Sequence, residues 1–348
     1  MNTQLKYQQL SQWGKVIVNI ILLLMMLTLT IGSPAEVAAK KIVRVGLVFD
    51  PGGQFDKSLN ELSYSGLLRA EEKLHVVIST YSSSDISDIE NQIRSCAAEG
   101  NDLCLSVGFL SETAARIVAA EYPQVAFAII DGGSEEGPLN LRSILFDERQ
   151  SGYLAGVVAG QMTATNKLGV VAGLEFVPAV VDFAEGFRNA AQCVNPAVEV
   201  WIEYTGSFSD PALGAYWAEQ MVAWGADVVF APAGATGFGA ILRAAELGAW
   251  VVGVDNDTYF WVLGQPAAGR ILTSAMKNWD VAVYDTIQDF VKKRFTPGVN
   301  EYSLENDGVG LAPFHETADY IPAEVASLVE KVKKDIIAGK IDVYNTCR

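Results

Sequence analysis

Between residues 42 and 275 the chain alternates short apolar runs with segments whose apolar positions recur every three to four residues. The first pattern predicts strands and the second amphipathic helices. Strands are predicted over 42–49, 76–81, 103–107, 125–130 and 141–146, with helices over 60–72, 85–98 and 112–120 among them. The rhythm then restarts with helix 149–162, strand 167–172, helix 183–190, strand 198–204, helix 211–224 and strand 228–231. It continues with helix 237–247 and strands 250–254 and 271–275. A helix over 280–290, a short strand at 309–311 and a helix over 325–338 follow. Most of these strands are continuous apolar runs, as parallel strands covered on both faces are. Two successive βαβ sets of similar size predict an α/β protein of two like-folded lobes, each a parallel sheet flanked by helices.

Ahead of this rhythm, a polar segment with Lys6 and Lys15 leads into an apolar run from Val16 to Ile31, then Pro34 and the small residues Val37-Ala38-Ala39. That order predicts a signal peptide over 1–39 cleaved after Ala39, with an uncleaved membrane anchor as the alternative. No cysteine lies near this region, which excludes a lipid-modified N-terminal cysteine. Either way the remainder is expected to be exported. Cys96, Cys104, Cys193 and Cys347 form an even set, so two disulfides, Cys96–Cys104 and Cys193–Cys347, stand against four buried free thiols.

Lys and Arg number 25 against 41 Asp and Glu, a net charge of -16 that becomes about -17 once residues 1–39 are removed. So acidic a surface argues against nucleic acid or anionic lipid as the main partner. The two histidines, His75 and His315, are far apart in sequence, which excludes a histidine-rich metal site; no cofactor is expected. Neither βαβ set carries a GxGxxG fingerprint, and the P-loop pattern is missing.

Ligand-suited residues recur at the predicted strand ends. Asp50 follows the first strand, Ser106-Val107-Gly108-Phe109 the third, and Asp131-Gly132-Gly133 the fourth. In the second set these positions hold Gly206-Ser207-Phe208-Ser209-Asp210, Gly234-Ala235-Thr236-Gly237 and Asp255-Asn256-Asp257. A strand-end aspartate is most simply a cap for the next helix, and Asp131, Asp210 and Asp255 each carry that plain reading. Their recurrence in both halves would line both walls of a shared crevice. Asp50, Asp56 and Asp131 can supply an acid and a base, but no histidine or G-x-S-x-G elbow accompanies them. Carboxylates beside aromatic rings suit a neutral ligand with several donors. Lys277, just after the strand at 271–275, either neutralises a nearby carboxylate or is a solvated strand-end lysine.

The run from Asp50 to Asn60 (DPGGQFDKSLN) resembles the signature opening of the basic membrane protein family, substrate-binding proteins of ABC importers that include purine nucleoside receptors. The resemblance continues through FAIIDG at 127–132, FDERQSGYLAG at 146–156, GSFSDP at 206–211 and AGATG at 233–237. It closes with GVDND at 253–257, LTSAMKN at 272–278 and GVGLAPFH at 308–315. It implies a type I periplasmic-binding fold and no catalysis. One lobe is expected from 40–145 plus about 278–307, the other from 146–277 plus about 308–348, with a hinge near residue 145.

The same resemblance implies roles for single residues. Asp50 and Asp131 contact the ligand from the first lobe, with Asn60 a further candidate. Phe208 stacks on a base, Asp255 holds ribose hydroxyls with Lys277 close by, and the loop from Gly234 to Gly237 touches the ligand through its backbone. Leu59 departs from the family, which commonly has phenylalanine there, and Phe55, where a small or acidic residue is more usual, is the candidate substitute ring. The implied function is capture of a nucleoside-like ligand for an ABC transporter permease by a monomer outside the cytoplasm. The alternatives are a secreted nucleosidase and a sensory ligand-binding protein.

Overall fold

The structure, a computed structural model, describes residues 41–56, 58–133, 137–345 and 347. The leader or anchor expected over 1–39 lies outside the described residues. Among the described residues no helix is long and apolar enough to cross a membrane.

The first set of strands forms a wholly parallel sheet of β1 (Arg44–Phe49), β2 (Val77–Ser82), β3 (Leu103–Val107), β4 (Ala126–Ile130), β5 (Leu141–Phe146) and β11 (Gly298–Tyr302). Their order is β11-β5-β4-β3-β1-β2. The second sheet contains β6 (Lys167–Ala172), β7 (Glu199–Tyr204), β8 (Val228–Phe230), β9 (Trp250–Asp255), β10 (Ile271–Lys277) and β12 (Val309–Leu311). Its order is β12-β10-β9-β8-β6-β7, and only β12 runs antiparallel to its neighbour. Central strands such as β3 are buried throughout, whereas the edge strands β2 and β7 are part-exposed along most of their length. The continuous apolar runs therefore mark the sheet interiors, as two covered faces require.

Helices α1 (Leu59–Leu74), α2 (Ile89–Ala98), α3 (Glu112–Glu121) and α8 (Trp279–Val291) pack on the first sheet. Helices α4 (Glu148–Met162), α5 (Pro178–Val194), α6 (Pro211–Trp224), α7 (Gly234–Glu246) and α9 (Ala323–Ile337) accompany the second. Helix α5 is longer than predicted because Pro178 opens it a turn and more ahead of Phe183. Strand β11 has no counterpart among the predicted elements. Its sequence, GVNEY, lacks an apolar run, and it is held by its ladder to β5 and by Arg142, which donates to the Thr296 carbonyl at 2.9 Å.

Three chain crossings join the sheets side by side. The Asp147 N–H donates to the Tyr302 carbonyl at 2.9 Å, the Asn278 N–H to Gly308 at 2.8 Å, and the Leu304 N–H to the Gln150 side chain at 2.8 Å. Both disulfides form. Cys96–Cys104 ties α2 to β3 with Cα atoms 6.1 Å apart, and Cys193–Cys347 ties the tail to the end of α5 at 5.3 Å.

Helices α4 and α5 meet backbone to backbone. Gly152, Gly156 and Gly160 recur every fourth residue on α4, so they share one face. A Cβ on them would run into the carbonyls of Phe183, Phe187 and Ala191 on α5. Gly186 of α5 returns the contact against the Arg149 carbonyl. Gly156→Val should therefore lower the unfolding free energy by about 1–3 kcal/mol or more through overpacking, measured by urea denaturation. A neutral effect would show that the two helices can separate freely.

Candidate ligand-binding site

The carboxyl ends of the two sheets face a crevice, and each wall is shaped by local hydrogen bonding. After β1 the chain turns at Asp50, whose N–H donates to the Asn60 side chain at 3.1 Å. Asn60 Nδ2 donates back to Asp50 Oδ1 at 2.6 Å, and the Gly52 N–H reaches the same oxygen at 2.8 Å. Asn60 is fully buried. It braces Asp50, whose other oxygen lies beside Gly108. Asp56 accepts the N–H groups of Ser58, Asn60 and Glu61 at 2.8, 3.0 and 3.1 Å, closing the start of α1. Burial pushes its carboxyl up, and those bonds partly oppose the rise. Leu59, the first residue of α1, is half-buried next to Gly108. Phe55 is 79% exposed, away from that contact.

The opposite wall begins with Phe208. Its ring lies on Gly173, where any Cβ would collide with the ring edge. Its carbonyl accepts from the Thr236 N–H at 3.3 Å, which brings the start of α7 alongside. Gly234 adopts φ 56°, a left-handed conformation that glycine tolerates. Gly237 instead packs against the Ala231 carbonyl and does not line the cleft. Asp210 caps α6 by accepting from the Leu213 N–H at 3.0 Å, as the plain reading of a strand-end aspartate expects.

Asp131 and Asp255 do something else. Both take left-handed conformations, φ 65° and 69°, which are uncommon outside glycine and collect at functional sites. Between the sheets lies a cavity of about 210 Å³, with Asp56 and Ser58 on one side and Gly234, Phe238, Asp255 and Trp261 on the other. No described residue donates a hydrogen bond to the Asp255 carboxylate, and burial pushes it up to about 6.

Beside Asp255 stands Lys277, on the neighbouring strand one residue beyond the Met276–Asp255 register pair. Its ammonium donates to Asp131 at 2.6 Å and to Glu148, the first residue of α4, at 2.5 Å. The rings of Phe146 and Trp279 cover it at 5.1 and 5.3 Å. The lysine side chain is 3% exposed and that of Glu148 8%. Burial drives Glu148 up to about 7 against the pull of Lys277, and the Asp131 charge adds to the rise. Burial works to lower Lys277 as well, but the charges of Asp131, Glu148 and Asp255 together raise it.

Of the residues singled out from the sequence, Gly234 and Asp255 line the cavity; Asp50, Leu59 and Asn60 cluster with Gly108 at the mouth of the first sheet, Phe208 lies on Gly173 beside Gly234, and Lys277 joins Asp131 to Glu148. Sequence reasoning missed Glu148, Gly173 and Phe238, and read the aromatic run Tyr259-Phe260-Trp261 as lobe packing first and a wall of the site second. Glu148 reads simply as an acid favoured at a helix start. Of the aromatic run 259–261, only Trp261 reaches the cleft, meeting Phe238 edge-on at 5.8 Å. Tyr259 turns away to stack on His315 at 4.1 Å, and Phe260 is exposed.

A family model described as ABC transporter substrate-binding protein PnrA-like matches residues 42–346. A CD4+ T-cell-stimulating antigen of Listeria innocua is 32% identical, over 88% of this chain and 89% of its own. A Lactococcus lactis protein named ABC transporter nucleoside-binding protein BmpA is 31% identical, over 87% and 90%. Among solved structures, a solute-binding protein of an Aeropyrum pernix ABC transporter system superposes with a TM-score of 0.73 at 29% identity, covering 86% of this chain and 92% of the other. The two-sheet architecture is that of type I periplasmic solute-binding proteins.

Replacing Lys277 with methionine leaves Asp131 and Glu148 facing each other without their cation. At pH 8 it should cost about 3–5 kcal/mol of stability, the range for stripping one partner from a buried pair. At pH 5 the loss should shrink, because protonation relieves the unpaired charge. In the wild type, the raised Glu148 contributes stability that is full below its ordinary value of 4.5 and lost as pH rises through about 7. Urea denaturation at both pH values checks the sign.

Proposed function

The chain belongs to the Bmp family of PnrA-like ABC transporter substrate-binding proteins, solute-binding proteins rather than enzymes, and we propose that it captures a nucleoside-like ligand for import. The observation that carries this reading is Asp255. A part-buried carboxylate without a donor of its own is costly unless a ligand supplies one. Two vicinal hydroxyls of a sugar meet that need with charge-assisted hydrogen bonds. An ammonium has three N–H groups, and Lys277 gives two to Asp131 and Glu148, so the third is available to the same sugar.

The remaining roles follow from position. Phe208 offers its ring to the base, and Leu59 covers the other face. Asp50, through the oxygen not spent on Asn60 and Gly52, and Asp131 accept from donors on the base. Asn60 contributes by holding Asp50. Gly234 presents main-chain N–H groups, while Gly237 lets α7 start close to β8. One lobe consists of 40–145 with 278–307 and the other of 146–277 with 308–348. Closure pivots on the three crossings and buries the ligand. The closed monomer then presents both lobes to an ABC transporter permease outside the cytoplasm. The Lactococcus relative's name supports the ligand class.

Calorimetric titration with a panel of nucleosides and free bases tests this reading. Asp255→Ala should weaken a ribose-bearing ligand by roughly 3 kcal/mol, on the order of a hundredfold. Unchanged nucleoside affinity in that variant would sink the sugar contact. Leu59→Phe should tighten purine nucleosides by about 0.5–1.5 kcal/mol through the added ring face. Catalytic release of free base from inosine would overturn the binding-protein reading altogether.

A further inference from the structure

Glu148 has no ligand contact assigned to it, yet it is the most buried carboxylate in the Lys277 cluster, Asp131 and Asp255 being only part-buried. It opens α4 directly after the Asp147 crossing, so it sits at the pivot between the sheets. Asp131 belongs to the end of the first sheet, and Glu148 belongs to the helix packed on the second. Lys277 is therefore gripped from both sides at once, by two short bonds. Two aromatic rings complete its enclosure.

Resting on the nucleoside reading above, we propose that Glu148 is a positioning residue: with Asp131 it fixes the Lys277 ammonium beside Asp255, so that its ionisation sets how firmly the ligand is held. Ionised Glu148 accepts from the ammonium and leaves its third N–H directed by two fixed partners. Neutral Glu148 no longer anchors the cation by charge, and Lys277 shifts its attraction toward Asp131 and Asp255. The ligand then meets a carboxylate that is already engaged and an ammonium that is free to move.

The surroundings single out Glu148 for this titration. The charges that bear on it are Lys277 on β10 and Asp131 after β4. On its own helix, Arg149 is committed to Asp182 at 2.7 Å and stacks over Tyr344. Asp147 accepts from the Gln150 side chain at 2.7 Å. Helix α5 brings Asp182, Glu185 and Arg188, and the last two pair with each other. Helix α9 keeps Glu324, Glu330, Lys331 and Lys334 exposed, pairs Lys333 with Asp307 and pairs Asp335 with Lys340. Strand β12 carries no charged side chain. Burial raises Asp255 as well, to about 6, and comparison with Glu148→Gln separates the two groups.

The test is inosine affinity, measured by calorimetry between pH 6.5 and 8.5, for wild type, Glu148→Gln and Glu148→Asp. Wild-type affinity should weaken roughly fourfold from pH 8.5 to 6.5, following one group that ionises near neutrality. Glu148→Gln should bind about tenfold more weakly at pH 8.5 and lose the slope. Glu148→Asp should restore a slope. A flat wild-type profile, or a slope that survives in Glu148→Gln, overturns the assignment. Should Glu148→Gln not fold, the aspartate variant decides: a midpoint displaced from wild type supports the role, and an identical one overturns it. If wild type binds no inosine at any pH, the nucleoside reading falls, and thermal unfolding without ligand decides on Glu148. A gap between wild type and Glu148→Gln that changes from pH 6 to 8 supports its titration, and a constant gap overturns it.

Discussion

A single lysine side chain, 3% exposed, ties the two sheets together beside the cleft. Taking Lys277 out of water costs several kcal/mol, and only a close set of opposite charges offsets that cost. Asp131 and Glu148 supply it at 2.6 and 2.5 Å, one from the end of the first sheet and one from the helix packed on the second. The cleft thus holds more carboxylates than cations, and burial keeps Glu148 and Asp255 reluctant to ionise. A ligand rich in donors relieves that imbalance. An anionic ligand would aggravate it.

The rest of the molecule keeps this cluster in register. Glycines on α4 let α5 press backbone to backbone behind it, so the helix that begins with Glu148 has little room to shift. Gly173 gives Phe208 a flat bed, and the Thr236 N–H holds the same residue by its carbonyl. Asp131 and Asp255 accept unusual backbone angles to turn their carboxylates into the crevice. Such strain persists because the flanking strands over-determine those positions. The three crossings are hydrogen-bonded to one another, which holds the two sheets side by side.

Much of this was legible along the chain because apolar periodicity reports burial directly. Strands β3, β5, β6 and β12 and helix α6 fall at their predicted limits. Strand β11 was not legible, since an edge strand with polar residues is stabilised by its neighbour's main chain and by Arg142 from elsewhere in the sequence. Asp50, Asp131 and Asp255 were visible as strand-end aspartates, but Asp210 has the same local signature and is a helix cap. What separates them is whether an N–H of the following helix lies within reach, and that is a property of the turn.

The sequence by itself determined the two α/β sets, the disulfide-competent cysteines and the motif residues at the mouths of the strands, because each is written in local pattern and spacing. Tertiary structure alone decided that the cysteines are paired rather than free, that Asn60 serves Asp50, that Gly237 faces inward and that Glu148 joins the site. Lys277 and its two partners are separated by 129 and 146 residues. No local rule relates positions so distant. Their chemistry exists only because folding removes water from the space they share.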